Sequence, residues 1–166
     1  MLQNSRPVHA VVDTSIGELT LVVRSGALTG LYFPGHWHLP SEASFGERVD
    51  AASDPLFGQV TRELEQYLAG ERQEFDVPIA TYGTAFSEQV WAMLRQIPFG
   101  ETVSYGELAE RLGDRKLARR VGQAVGWNPV SIFIPCHRVL GSTGKLTGYA
   151  GGLERKQQLL ETEGVL

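Results

Sequence analysis

Chemistry in this chain is sought first at its one thiol. Cys136 lies in the segment Ile132-Phe133-Ile134-Pro135-Cys136-His137-Arg138-Val139-Leu140, directly after an apolar run and directly before two basic side chains. A single cysteine closes no intrachain disulfide and completes no cysteine zinc cluster, so it is either a small buried hydrophobe, the commonest role of a lone cysteine, or a nucleophile. Three features favour the nucleophile. His137 and Arg138 supply the electropositive setting that favours thiolate. Pro135 restrains the preceding backbone toward an extended form. Asn128-Pro129 is a turn signal just upstream, so the thiol follows closely on the preceding helical pattern. Adjacent side chains diverge in extended backbone, so the workable pairing of Cys136 with His137 runs through a water, with a carboxylate orienting the imidazole. Several acids could supply that carboxylate.

The elements that must position these groups read mostly as helices. Phe86, Val90 and Leu94 share one helical face, ending before Ile97-Pro98-Phe99-Gly100. Ser104 with Glu107 is a capping box, opening a helix whose Leu108 and Leu112 face inward and which stops at Gly113. Asp114 caps a second helix with Leu117, Val121 and Val125 as its buried stripe, so the pair resembles a helix-turn-helix. Its outer face carries Arg119 and Arg120 beside Gly122, Ala124 and Gly126: arginines for phosphates, and small residues for close backbone approach. A solvated amphipathic helix pair is the plain alternative.

The first half differs. His9 to Thr14, Glu18 to Arg24 and Ala27 to Phe33 alternate or are β-branched, with turn signals at Ser15-Ile16-Gly17 and Ser25-Gly26, which predicts an antiparallel meander. Residues 34–53 lack a period and read as loop. Asp54-Pro55 is an N-cap followed by proline at the first helical position, and Leu56, Val60, Leu64 and Leu68 recur on one face before Gly70, giving a helix over 55–69. Glu74 to Ile79 reads as a short strand. The expected fold is α+β: an N-terminal α/β domain over 1–82 with antiparallel sheet and helix, then a mostly helical C-terminal domain over 83–166.

The chain has 166 residues, 15 basic against 19 acidic, and a formal charge of -4. That average hides an asymmetry: up to Tyr82 there are 5 basic and 11 acidic residues, and beyond it 10 basic and 8 acidic. Arg115, Lys116, Arg119, Arg120 and Arg138 span a stretch with no acid, so the second half has a locally positive field whatever the total. No run approaches the ~18 apolar residues of a membrane span and the N-terminus has no signal pattern, so a soluble, cytoplasmic protein without a membrane partner is expected. His9, His36 and His38 lack thiolate company, so neither a metal nor a cofactor is expected.

Several ordered motifs carry a family resemblance across about residues 84–164. Pro135-Cys136-His137-Arg138-Val139 resembles the signature of the O6-alkylguanine-DNA alkyltransferases, also called methylated-DNA–protein-cysteine methyltransferases. Arg119-Arg120-Val121-Gly122-Gln123-Ala124 with Asn128-Pro129 is similar to their recognition helix and asparagine hinge. Lys145 to Leu153 is similar to their active-site loop, Glu161-Thr162-Glu163-Gly164 to their terminal acidic element, and Ile97 to Gly106 to the entry of their helix-turn-helix. The first half resembles their variable, ribonuclease-H-like N-terminal domain in pattern only.

The resemblance implies direct-reversal DNA repair, with irreversible, stoichiometric transfer of an alkyl group from O6-alkylguanine in double-stranded DNA to Cys136. His137 acts through a water as base, Glu163 holds its tautomer, Asn128 braces the turn, Tyr149 donates its phenolic proton toward the guanine, and the Ala150 N–H binds its O6 edge. The helix-turn-helix enters the minor groove, Arg119 fills the gap left by the flipped nucleotide, Tyr105 pushes on the adjacent phosphate, and Gly122 and Val139 belong to the substrate-binding set. The resemblance also admits cooperative self-association on DNA. Ser131 stands where relatives often have a proline, and Ala150 lacks a hydroxyl that some relatives carry. Two other classes compete: a non-catalytic lesion-binding relative, marked by replacement of the cysteine, and a helix-turn-helix regulator with a sensor thiol, which usually has a resolving cysteine.

Overall fold

A computed structural model describes residues 6–166. Strands β1 (Val8–Thr14), β2 (Gly17–Arg24) and β3 (Ala27–Tyr32) form the predicted antiparallel meander. The β2–β3 turn is Ser25-Gly26 with both residues at positive φ, 52° and 78°. This is the two-residue geometry whose twist matches that of paired strands. Residues 34–53 are more ordered than a loop: two short 3-10 turns flank β4 (Glu47–Arg48), which pairs parallel with β1 and completes a sheet of order β3-β2-β1-β4. Helix α1 (Pro55–Leu68) starts as expected, with the Asp54 carboxylate accepting the Leu56 N–H at 2.9 Å, and it buries Phe57, Val60, Leu64 and Tyr67. Glu74–Ile79 is not a strand. The Glu63 carboxylate takes the N–H groups of Asp76 and Val77, at 2.7 and 3.3 Å, so two donors a neighbouring strand would need go to a side chain.

Helices α2 (Ala85–Leu94), α3 (Tyr105–Arg111), α4 (Ala118–Gly126) and α5 (Leu153–Thr162) make the second half. Both bonds of the Ser104–Glu107 capping box form, each 3.1 Å. Asp114 caps a 3-10 turn, Arg115–Leu117, rather than the helix itself, so α4 begins at Ala118. Ala124 is buried, not on the outer face; its carbonyl accepts the Trp91 indole N–H at 2.8 Å, fixing α4 against α2. A parallel pair unforeseen in the sequence, β5 (Val103–Ser104) with β6 (Val139–Leu140), ties the entry of α3 to the segment just after Cys136.

The two halves share one hydrophobic core. The open edge of β3 is covered by two pieces of chain: Leu28 N–H donates to Pro78 O, and Leu31 N–H to Pro129 O, both 2.8 Å. The second contact fixes the sheet to the turn that leads to Cys136. Leu31 is fully buried at this junction. Leu31→Ala is expected to lower the unfolding free energy by about 2–5 kcal/mol, read as a lower urea midpoint at unchanged slope.

Candidate active site

The thiol is presented by a tightly closed loop. Asn128, itself buried, donates through Nδ2 to Ile134 O at 2.8 Å and accepts Val130 N–H at 3.0 Å, cross-bracing residues 128–134. Inside that brace Ile132 has φ 74°. A β-branched residue in this region is strained, and here the surrounding hydrogen bonds hold it. The chain then enters a 3-10 turn, Cys136–Arg138, instead of extended backbone. Neighbouring side chains therefore leave the turn on different sides. Cys136 lines a cavity of about 480 Å³. His137 and Arg138 turn into the protein and are buried.

Behind the thiol, Glu163 just past the end of α5 is the centre of a hydrogen-bond cluster. Its Oε2 accepts His137 Nε2 at 2.6 Å, Tyr67 Oη at 2.6 Å and Arg138 Nη2 at 3.0 Å; its Oε1 accepts Arg138 Nε at 2.8 Å and Gly100 N–H at 3.0 Å. Burial alone would raise the Glu163 pKa, but the donors, His137 and Arg138 foremost, outweigh it and bring the pKa down to about 2. A carboxylate fixed as an anion accepts only, so His137 carries its proton on Nε2. That leaves Nδ1 as the lone-pair atom, and Nδ1 is buried without a protein partner. Burial lowers the His137 pKa, so the ring rests neutral.

The thiol also rests neutral, which corrects the sequence expectation. Arg138 is neutralised by Glu163, and burial pushes the Cys136 pKa up, against the smaller opposing effects of Asn128 and the Lys156 charge. Thiolate therefore needs a base, and an unprotonated imidazole nitrogen such as His137 Nδ1 has the chemistry of one. Lys156, fully buried, donates Nζ to Val139 O at 2.6 Å and Thr147 O at 3.0 Å, linking the segment after the thiol to the cavity wall; burial lowers its pKa to about 8.

The cavity brings together most of the predicted substrate-binding residues. Tyr149, Ala150, Tyr105, Gly122 and Arg119 all line it with Cys136. Tyr149 is buried with its hydroxyl unpaired, and burial raises its pKa well above the ordinary range, so it stays protonated and can donate. Arg119 is exposed at the rim. Val139 is not part of the lining: it is fully buried in β6, its carbonyl accepts from Lys156 and its N–H donates to Cys136 O. The cations of the acid-free stretch are also divided. Arg115 pairs with Glu110 at 3.1 Å and Arg120 sits 3.9 Å over the Phe86 ring, so Arg119 is the arginine of the helix pair that reaches the cavity.

Sequence reasoning missed several groups. Tyr67 lies on the apolar face of α1, where a hydroxyl among leucines was the available signal. Lys156 occupies a buried position of α5 three and four residues before Leu159 and Leu160. Trp37 and His38, in the segment read as loop, form one cavity wall: Trp37 N–H donates to Ala150 O at 2.8 Å, a Cβ on Gly148 would come within 2.8 Å of the Trp37 ring, and His38 stacks on Trp127 with centroids 4.1 Å apart. The other two histidines weighed as ligands are engaged elsewhere: His36 Nδ1 accepts Phe33 N–H, and burial lowers its pKa to about 4, while His9 Nδ1 lies 3.1 Å from Gly46 O. Among the described residues no group of three or more His, Cys, Asp or Glu is placed to hold a metal, and no helix is long and apolar enough to cross a membrane.

Comparison with known proteins adds an independent line. The family model for the "6-O-methylguanine DNA methyltransferase, ribonuclease-like domain" matches residues 8–81, and that for the "6-O-methylguanine DNA methyltransferase, DNA binding domain" matches residues 85–165. A methylated-DNA–protein-cysteine methyltransferase of Mycolicibacterium paratuberculosis is 46% identical over 155 residues, covering 93% of this chain and 91% of that protein. The crystal structure of Mycobacterium tuberculosis OGT in complex with DNA aligns with a TM-score of 0.82 at 43% identity, covering 94% of this chain and 92% of the other. The structure described as M. tuberculosis O6-methylguanine methyltransferase gives a TM-score of 0.83 at 43% identity, covering 95% and 92%.

The Glu163 cluster has a pH signature. Its pKa falls from 4.5 to about 2 on folding, so the carboxylate contributes stability that is complete above about 4.5 and lost as pH falls toward 2. Glu163→Gln is expected to destabilise the protein at neutral pH by about 3–5 kcal/mol, because Arg138 is left buried and unpaired. It should also flatten the loss of stability across that acid window. Urea midpoints measured against pH for both proteins check this, and parallel curves would contradict it.

Proposed function

This chain belongs to the 6-O-methylguanine DNA methyltransferase family, and we propose that Cys136 is the residue through which it repairs alkylated DNA by direct reversal. The reaction is a single-turnover transfer of an alkyl group from DNA to a cysteine. The observation that carries the assignment is one arrangement: a neutral thiol on the wall of a cavity of about 480 Å³, with Tyr149 on the same wall and a buried His137–Glu163 pair behind the thiol. A volume in this range suits a small flat ligand, and here that ligand is an O6-alkylguanine turned out of the duplex.

The proposed steps use these groups in turn. The thiol proton passes through a water to His137 Nδ1, and the imidazolium that forms is stabilised by Glu163 across the 2.6 Å bond. The sulfur lone pair attacks the alkyl carbon in line, the carbon–O6 bond breaks, and its electrons remain on the base. Tyr149 donates its phenolic proton toward the base as that charge develops, while the Ala150 N–H binds the O6 edge. The products are unmodified guanine and a thioether at Cys136, and the imidazolium proton returns through water to the Tyr149 phenolate, leaving both side chains neutral. Asn128 keeps the turn that sets the sulfur in position.

The DNA-facing surface is the α3–α4 unit. Gly122 and Gly126 let the α4 backbone approach a minor-groove floor, Arg119 enters the stack in place of the extruded nucleotide, and Tyr105, at the start of α3 and on the cavity wall, bears on the neighbouring phosphate. Exposed cations of this unit would neutralise phosphates, so affinity falls with salt. Cooperative association along the duplex would appear as sigmoidal binding. The chain retains Cys136, unlike a lesion-binding relative without the cysteine, and has no second cysteine to resolve a sensor thiol.

Incubation with duplex DNA carrying labelled O6-methylguanine should place about one methyl per chain on the Cys136 peptide; sustained turnover, or no transfer to folded protein, overturns the assignment. Cys136→Ser should bind the same DNA without taking label. Arg119→Ala should slow repair in duplex at least about tenfold while leaving reaction with the free modified base nearly unchanged; equal losses on both substrates would remove Arg119 from base flipping.

A further inference from the structure

Resting on the reading above, we infer that Tyr67, contributed by α1 of the first half, is a positioning residue for methyl transfer: its hydroxyl holds Glu163 Oε2 in line with His137 and limits how strongly that carboxylate stabilises the imidazolium. The juxtaposition is specific. Tyr67 is fully buried, its Oη lies 2.6 Å from Glu163 Oε2 and 3.5 Å from His137 Nε2, and these partners stand 96 and 70 residues away in the chain. Its ring is fixed independently of the hydroxyl, against Phe75 at 5.4 Å and edge-on to Phe99 at 6.0 Å.

The chemistry of the hydroxyl follows from its neighbours. Glu163 is an anion and can only accept, so Tyr67 donates. Oε2 then serves three donors, His137, Tyr67 and Arg138 Nη2. Each donor withdraws charge from the oxygen that faces the imidazole. His137 must accept a proton at Nδ1 during attack and should not already hold one at rest. A carboxylate bonded to His137 alone would hold the imidazolium more strongly and leave the ring less available as a base. The charged and titratable groups facing His137 are Glu163 and Lys156 from α5 and its end, Arg138 from its own turn, and Tyr67 from α1. Tyr67 is the uncharged member of this set, and it adjusts the pair without adding a charge. It also makes the first half part of the reactive site, although Cys136, His137 and Glu163 all lie in the second.

Tyr67→Phe and replacement of Tyr67 by 3-fluorotyrosine test this in the full-length protein, with two readings. One is the pH titration of the His137 imidazole by ¹⁵N NMR; the other is the single-turnover rate of methyl transfer from O6-methylguanine duplex against pH. With phenylalanine the His137 titration and the acid limb of the rate should both move to higher pH, and the rate at neutral pH should fall about tenfold, as for loss of one hydrogen bond to a charged group. The fluorinated ring, nearly isosteric and a stronger donor, should move both to lower pH, and it keeps the test open if the phenylalanine variant folds poorly. Unmoved His137 titration in the folded variants, or a change in thermal stability alone, overturns the role of Tyr67. Wild-type protein that takes no methyl while the titrations shift as stated would count against the transfer reaction and leave the Tyr67 coupling standing.

Discussion

A carboxylate withdrawn from water is unfavourable by several kcal/mol unless donors replace its hydration, and Glu163 is withdrawn almost completely. Its replacement donors come from separate parts of the chain: Tyr67 from α1, the Gly100 N–H from the turn after α2, and His137 with Arg138 from the 3-10 turn that presents the thiol. Arg138 extends the set by donating Nη1 to Ile97 O at 2.6 Å. The first half, the entry to the helix-turn-helix, the thiol turn and the last helix are thus joined at one charge. Displacing any of them exposes or orphans that charge, so the cluster fixes the relative placement of all four.

The same charge sets the chemistry. Because Glu163 can only accept, His137 Nε2 bears the proton and Nδ1 keeps its lone pair, and because the cluster neutralises Arg138, the Lys156 charge is left to oppose burial at the thiol and does not overcome it. Nucleophile and base both rest uncharged, since burial raises the thiol pKa and lowers that of the imidazole. A buried neutral thiol is a poor target for stray electrophiles and metals, and in the proposed relay thiolate forms only as its proton leaves for His137. For a protein that reacts once, such restraint before the correct alkyl carbon arrives has evident value. The 3-10 turn makes it feasible by sending Cys136 to the cavity and His137 to the interior from adjacent positions.

What could be read in the sequence was local. The meander, α1 with its Asp54 cap, and the Ser104–Glu107 box are written in period and turn chemistry over a few residues. Glu74–Ile79 misled because its alternation is real but the N–H groups of Asp76 and Val77 are taken by Glu63. The β5–β6 pair could not be seen, since two residues have no period. At the site, Cys136 and His137 stood out by type and adjacency, whereas Glu163 was reached only by resemblance, because any of several acids satisfied the spacing. Tyr67 was concealed by its place in the apolar stripe of α1. The thiolate reading failed because proximity in sequence does not establish proximity of field: Arg138 follows Cys136 by two positions, yet its charge is directed to Glu163.

An anionic Glu163 that accepts from Nε2 should hold His137 neutral with its free lone pair on Nδ1. The most direct measurement is the imidazole ¹⁵N spectrum of His137 in the unmodified wild-type protein at neutral pH. The expected spectrum is that of a neutral ring with the proton on Nε2 and an unprotonated Nδ1; an imidazolium, or a neutral ring protonated on Nδ1, would show that Glu163 does not set the tautomer.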